Sequence, residues 1–115
     1  MISYEEFAKL EIKIGQILSA KKIEGTNKLL KLEVDFGSPE ENLQPMNNIR
    51  QIVSGIADFY DPQNLVGKEC PFLVNLEPRI LRGVESQGMI LAVDVEGVAV
   101  LLHPDREVPA GSKVK

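Results

Sequence analysis

From Leu10 the chain alternates: Leu10, Ile12 and Ile14 are separated by Glu11 and Lys13, so an extended segment there has one apolar face and one wet face. Gly15 breaks the alternation and Ile17 resumes it out of phase. This predicts a bulge or tight bend in mid-strand, the feature a small barrel needs in order to close. After a turn at Gly25-Thr26-Asn27, Leu30, Leu32, Val34 and Phe36 alternate with Lys31, Glu33 and Asp35, the clearest half-buried strand of the sequence. Residues 49–54 read as a third strand. Cys70, Phe72 and Val74 mark a fourth, in which Pro71 favours a sheet edge or a strand start. A loop over 77–83 leads to a fifth strand over 89–93. A turn over 94–97, a strand over 98–102, a turn at Pro109-Ala110-Gly111 and a short tail ending at Val114 complete the chain.

Two short helices interrupt this pattern. Ser3 followed by Glu6 fits a capping box, with Ile2 and Phe7 placed for the hydrophobic staple, so residues 4–9 are expected to be helical. A helix this short is not stable alone, and it is expected to cover a barrel end or pack on another chain. Asp61 and Pro62 open a one-turn helix that Gly67 ends. Residues 37–48 are polar, with two prolines and no periodicity, and read as a long loop. Five strands with a short helix between the third and fourth match the order of an OB-fold barrel. The expected fold is therefore all-β: one OB-fold domain over residues 1–115, with a short N-terminal helix and extra C-terminal strands that form a dimer interface.

Composition narrows the function. The chain is 43% hydrophobic and 26% charged, the balance of a globular domain. A net charge of −4 gives no support to non-specific nucleic-acid or membrane binding, so any such function must rest on a local patch. The single cysteine, Cys70, leaves no internal disulfide and no multi-cysteine zinc site. Glu5, Glu6 and Glu11 interrupt any leader-like apolar run, and no stretch approaches the ~20 residues of a membrane helix, so a cytoplasmic protein is expected. Met1 beside a complete capping box is equally compatible with an independent start and with a well-chosen boundary cut from a longer chain.

No catalytic arrangement fits. Ser86 would need a glycine where Val84 stands to be a nucleophile elbow. Gly83 and Gly88 have phosphate-loop spacing, but Met89-Ile90 follows where lysine and a hydroxyl residue are required. His103 is the lone histidine and reads as a surface residue; Cys70 reads as core. Neither a metal nor an organic cofactor is expected. The basic residues say more. Lys21, Lys22, Lys28 and Lys31 flank the first turn, Arg50 opens the third strand, and Arg79 and Arg82 lie between the fourth and fifth. In an OB-fold these loops border the face on which oligonucleotides bind, although the same residues could be ordinary solubilising charges. Of the six aromatic residues, Phe7, Phe36 and Phe72 fall on predicted core faces, too few remaining to stack a run of single-stranded bases. A structured RNA, read through shape and phosphates, suits this inventory better.

Three segments together carry a resemblance: FAKLEIKIG at residues 7–15; RQIVSGI at 50–56 with LVGK at 65–68; and NLEPR at 75–79 with LRGVESQGMIL at 81–91. In this order, over about 85 residues, they resemble the tRNA-binding domain appended to methionyl-tRNA synthetases. That domain also occurs as free-standing tRNA-binding proteins, as CsaA-type secretion chaperones and in EMAP-II-like cofactors. PAGSK at 109–113 is similar too. The resemblance implies a non-catalytic OB-fold homodimer that binds the tRNA corner, as an appendage or partner of the synthetase's catalytic chain. Position by position it implies that Lys28 contacts phosphate, that Asn75, Arg79 and Arg82 line the RNA-facing surface, and that Ser86 and Met89 border it. With the strand residues Lys31 and Arg50 these make the candidate site. For Ser86 a turn hydroxyl bonded to backbone, and for Met89 a place in the barrel core, are equally open readings. The sequence departs from the family at IEGTNKL (23–29), where HPNADKL is usual, and at Glu77 and Ile80, where lysine is common. Each lost phosphate contact weakens binding and flattens its salt dependence. Two rival functions follow: a CsaA-like chaperone holding unfolded polypeptide, and a synthetase scaffold with little RNA affinity.

Overall fold

The alternation after Leu10 becomes the eleven-residue strand β1 (Ile12–Lys22), the spine of a strongly curled sheet. The computed structural model describes residues 1–37 and 48–115. β2 (Leu30–Asp35) and β3 (Ile49–Ser54) follow as an antiparallel meander on one edge of β1, and β4 (Glu69–Leu73) returns to the other edge. A hairpin of β5 (Arg79–Leu81) and β6 (Val84–Ser86) precedes β7 (Met89–Ile90), which pairs with β4. A second hairpin, β8 (Ala92–Val95) and β9 (Val98–Leu101), leads to β10 (Lys113–Val114), which pairs with the start of β1. The order in the main sheet is β3-β2-β1-β4-β7. The order and curl are those of an OB-fold half-barrel.

Curling depends on two separate features of β1. Gly15 lets β2 cross closely, because a Cβ there would strike Val34 and the Phe36 ring. The bulge lies further on, at Leu18: Ile17 stands opposite Val34 while Ser19 stands opposite Glu33, leaving the residue between them unpaired. The expected bulge at Gly15 is thus displaced by three residues, and the glycine instead serves packing. Inside the curl, Ile17, Leu30, Leu32, Val34, Ile52 and Phe72 are fully buried. The Phe36 and Phe72 rings meet edge-to-face, 5.4 Å between centroids. Pro71 is accommodated because it faces Ile14, whose backbone already bonds to Ser112 and Gly111 on the opposite edge of β1.

Other expectations are corrected. The N-terminal helix, α1 (Tyr4–Phe7), ends two residues early; both halves of its capping box are present, Glu6 N–H to Ser3 Oγ at 3.2 Å and Ser3 N–H to Glu6 Oε1 at 3.4 Å. Phe7 is half-buried beside Tyr4, 6.4 Å between ring centroids, outside the core, and Leu10 is exposed because β1 starts after it. The loop expected over 77–83 is largely the β5–β6 hairpin. Its two-residue turn, Arg82-Gly83, has positive φ at both positions (52° and 79°), the type I′ geometry that matches strand twist. The expected fifth strand splits at Leu91: β7 stays with β4, Leu91 N–H makes a last bond to Pro71 O, and β8 leaves to pair with β9. Pro62–Asn64 forms the expected single turn, a 3-10 helix capped by Asp61 Oδ1 on Gln63 N–H at 3.1 Å. Most of the loop read over 37–48 lies outside the described residues.

Candidate nucleic-acid interface

The turn between β1 and β2 is built from its own short bonds: Lys28 N–H to Thr26 Oγ1 (3.1 Å) and Ile23 N–H to Leu29 O (3.2 Å), with Gly25 at φ 85°. The Lys28 side chain is left exposed. Across an open hollow of about 600 Å³ stands Arg82, at the apex of the β5–β6 hairpin and 54 residues further along the chain than Lys28. Lys21 and Lys31 are direct cross-strand neighbours, and Lys31 faces Val53 on β3. Val53 in turn lines a narrow cleft with Leu76, Arg79 and Met89. The β5–β6 hairpin links the two places, with Arg82 at the hollow beside Lys28 and Arg79 at the cleft with Met89, next to Val53 and its cross-strand neighbour Lys31. This edge is the candidate rim, and Met89 is 44% exposed there and not in the core. Arg82 carries a φ of 52°, a conformation a side chain adopts at a cost of about 1 kcal/mol, so the fold holds an arginine at this apex against its local preference.

Three sequence-predicted residues are engaged differently. Arg50 shares its strand face with Ile52 and turns inward: its guanidinium lies 5.9 Å from the Phe36 ring centroid and donates to Val74 O and Gln87 O. Asn75 is a backbone clamp, accepting from Glu11 N–H at 2.9 Å and donating to Lys9 O at 2.7 Å. Ser86 is 4% exposed, accepts from Val53 N–H and donates to Gly88 O, both at 2.9 Å, which is the turn-hydroxyl arrangement. These three hold the rim's supporting structure together. The sequence reading missed their companions, Gln51 and Gln87, which bond each other across 36 residues of chain.

Cys70 and His103 meet away from this rim. The imidazole Nδ1–H donates to Glu69 O at 2.7 Å, and the buried Cys70 Sγ lies 3.6 Å from the same nitrogen. Burial pushes the thiol up to about 11 from its ordinary 9.0, the Lys68 ammonium offsetting only part. The unfolded chain therefore ionises first as pH rises. Stability contributed by the neutral thiol is complete below pH 9 and is lost between 9 and about 11, amounting to about 1 kcal/mol by pH 10. Urea denaturation at pH 8 and pH 10 is expected to show this loss in the native protein and less of it in Cys70→Val.

A curled sheet of five strands in the order β3-β2-β1-β4-β7, with β10 added beside β1, whose turns carry lysines and arginines to one edge is the architecture of an OB-fold nucleic-acid-binding module. Residues 12–113 match the family described as "Putative tRNA binding domain", and the chain belongs to that family. The methionine–tRNA ligase of Methanothrix thermoacetophila is 45% identical over 115 residues, covering 100% of this chain and 16% of that protein, so the chain spans a small part of such relatives. The crystal structure of a MetRS related protein from Pyrococcus horikoshii is 42% identical with a TM-score of 0.88, covering 100% of this chain and 98% of that one. The chaperone CsaA from Bacillus anthracis is 29% identical with a TM-score of 0.83, covering 100% and 99%. The chain is a tRNA-binding domain like the C-terminal region of methionyl-tRNA synthetases. No helix among the described residues is long and apolar enough to cross a membrane.

Proposed function

We propose that this single domain binds the corner of tRNA without catalysis, as a cytoplasmic homodimer working with, or as part of, a methionyl-tRNA synthetase. The observation that carries the reading is the convergence of Arg82, held at positive φ, on the Lys28 turn. Lys28, Lys31, Arg79 and Arg82 engage phosphates and release their counterions, while the fixed spacing of the two loops selects a folded RNA over a flexible strand. Bound beside a catalytic chain, the module raises the local concentration of tRNA. Its own net charge of −4 restricts binding to this rim. A homodimer is supported by the β8–β9 hairpin, which lays Val93, Val95, Val98 and Val100 on one face, each more than 40% exposed.

The test is fluorescence anisotropy of labelled tRNA across a range of salt concentrations. Arg79→Ala/Arg82→Ala is expected to weaken binding about 10–30-fold at moderate salt and to flatten the slope of log affinity against log salt by about two units. Absence of tRNA binding by the native protein at low salt would overturn the reading. One observation favours a second function, polypeptide holding: an apolar hollow of about 410 Å³ bordered by Ile14, Pro71, Leu102, Pro104 and Val108. An unfolded polypeptide that competes with tRNA weakly, and binds independently of salt, would mark that activity.

A further inference from the structure

The β5–β6 hairpin carries Arg79 and Arg82, yet it forms a two-stranded sheet of its own. An isolated two-stranded hairpin is marginal in water, so something outside its ladder must fix where its arginines point. The join to β3 is made chiefly by side chains. Gln87 N–H donates to Gln51 O at 2.8 Å, and the return bond, which a strand would make with its carbonyl, comes from the Gln87 side chain: Gln51 N–H donates to Gln87 Oε1 at 2.9 Å. The Gln51 side chain then reaches along the hairpin, Nε2 donating to Glu85 O at 2.7 Å. Glu85 pairs with Ile80, the neighbour of Arg79.

We infer that Gln51 and Gln87 are positioning residues for the RNA-binding rim, latching the β5–β6 hairpin to β3 so that Arg82 faces the Lys28 turn and Arg79 the cleft beside Val53. This rests on the reading that those arginines contact tRNA. Gln51 is half-buried and both glutamines are uncharged, so neither can itself release a counterion. Their effect on salt dependence can come only through the arginines they place. This separates positioning from general support and from direct contact with RNA.

The experiment compares Gln51→Met and Gln87→Met, which keep side-chain length and lose the amide, with the native protein and with Arg79→Ala/Arg82→Ala. Each methionine variant is expected to weaken tRNA binding about 3–10-fold and to flatten the salt slope by about one unit although no charge has been removed. Added to the double arginine variant, either should cost less than a further twofold. In the absence of RNA, amide exchange over residues 79–86 should quicken at least tenfold while β1 and β2 stay protected. An unchanged salt slope, a fully additive loss, or unchanged exchange in the hairpin overturns the latch. Equal quickening in β1 and β2 does so too, by making these residues general stabilisers. An arginine double variant that binds tRNA like the native protein, with the exchange result intact, overturns instead the assignment of the arginines to the RNA contact.

Discussion

Gly15→Val is expected to cost about 3 kcal/mol of folding stability, at the upper end of what forced overpacking usually costs. The added carbons enter space held by the Val34 side chain and the Phe36 ring. Neither neighbour can move freely. Val34 is fully buried, and Phe36 is fixed edge-on against Phe72 with the Arg50 guanidinium near its ring. Arg50 also holds the carbonyls of Val74 and Gln87, so pressure on Phe36 passes outward to the join between β3 and the rim. For a domain whose whole stability is of order 5–15 kcal/mol, this is a large fraction. The thermal midpoint should fall by roughly 10–20 °C. Gly15→Ala, with one carbon in the same place, should show a smaller fall. A midpoint for Gly15→Val within a few degrees of native would mean that β2 can back away from β1, contradicting the close crossing.

The curl of the sheet was legible because it is written locally. Leu30, Leu32 and Val34 alternate with polar neighbours, and all three are fully buried as the alternation requires. Turn chemistry was legible where its residues are the usual ones, as at Asp61-Pro62, and hidden at Arg82-Gly83, where arginine occupies a position that ordinarily takes asparagine or glycine. Arg50 shows a signal that was present but outweighed. It is two residues before Ile52 and so shares the core face of β3, yet its charge drew it into the candidate rim. Asn75 and Gln87 offered no comparable signal. Their partners are backbone groups 64 and 36 residues away, and nothing in a linear pattern sets such a distance. The basic rim itself could be assembled from the sequence only after an OB-fold had been assumed. Lys28 and Arg82 belong to separate loops, and only the closed curl brings them to one hollow.

Val95→Lys/Val98→Lys is expected to turn the proposed homodimer into a monomer, raising its dissociation constant by at least about 100-fold. Along β8 and β9 the inward side chains include Ala99 and Leu101, which pack on the barrel core, while Tyr60 Oη accepts from Leu101 N–H at 3.0 Å and fixes the hairpin in place. The outward side chains are the cross-strand pairs Val93–Val100 and Val95–Val98. A rigidly held strip of four valines, 42–51% exposed, is an apolar surface that a second copy can cover by a twofold arrangement in which each strip meets its counterpart. Burying the remaining exposed area of each valine contributes about 1 kcal/mol, and eight valines would meet in the proposed seam. Two lysines per protomer remove half of that and oppose like charges in a dry interface, a change of several kcal/mol, hence the 100-fold or greater shift. Sedimentation equilibrium on the native and variant proteins reads it directly. Both valines contact solvent and neither supports the core, so the variant should keep its thermal midpoint to within the contribution of dimerisation. A native protein that sediments as a monomer at tens of micromolar would remove the homodimer, and a variant that remains dimeric would move the interface away from this face.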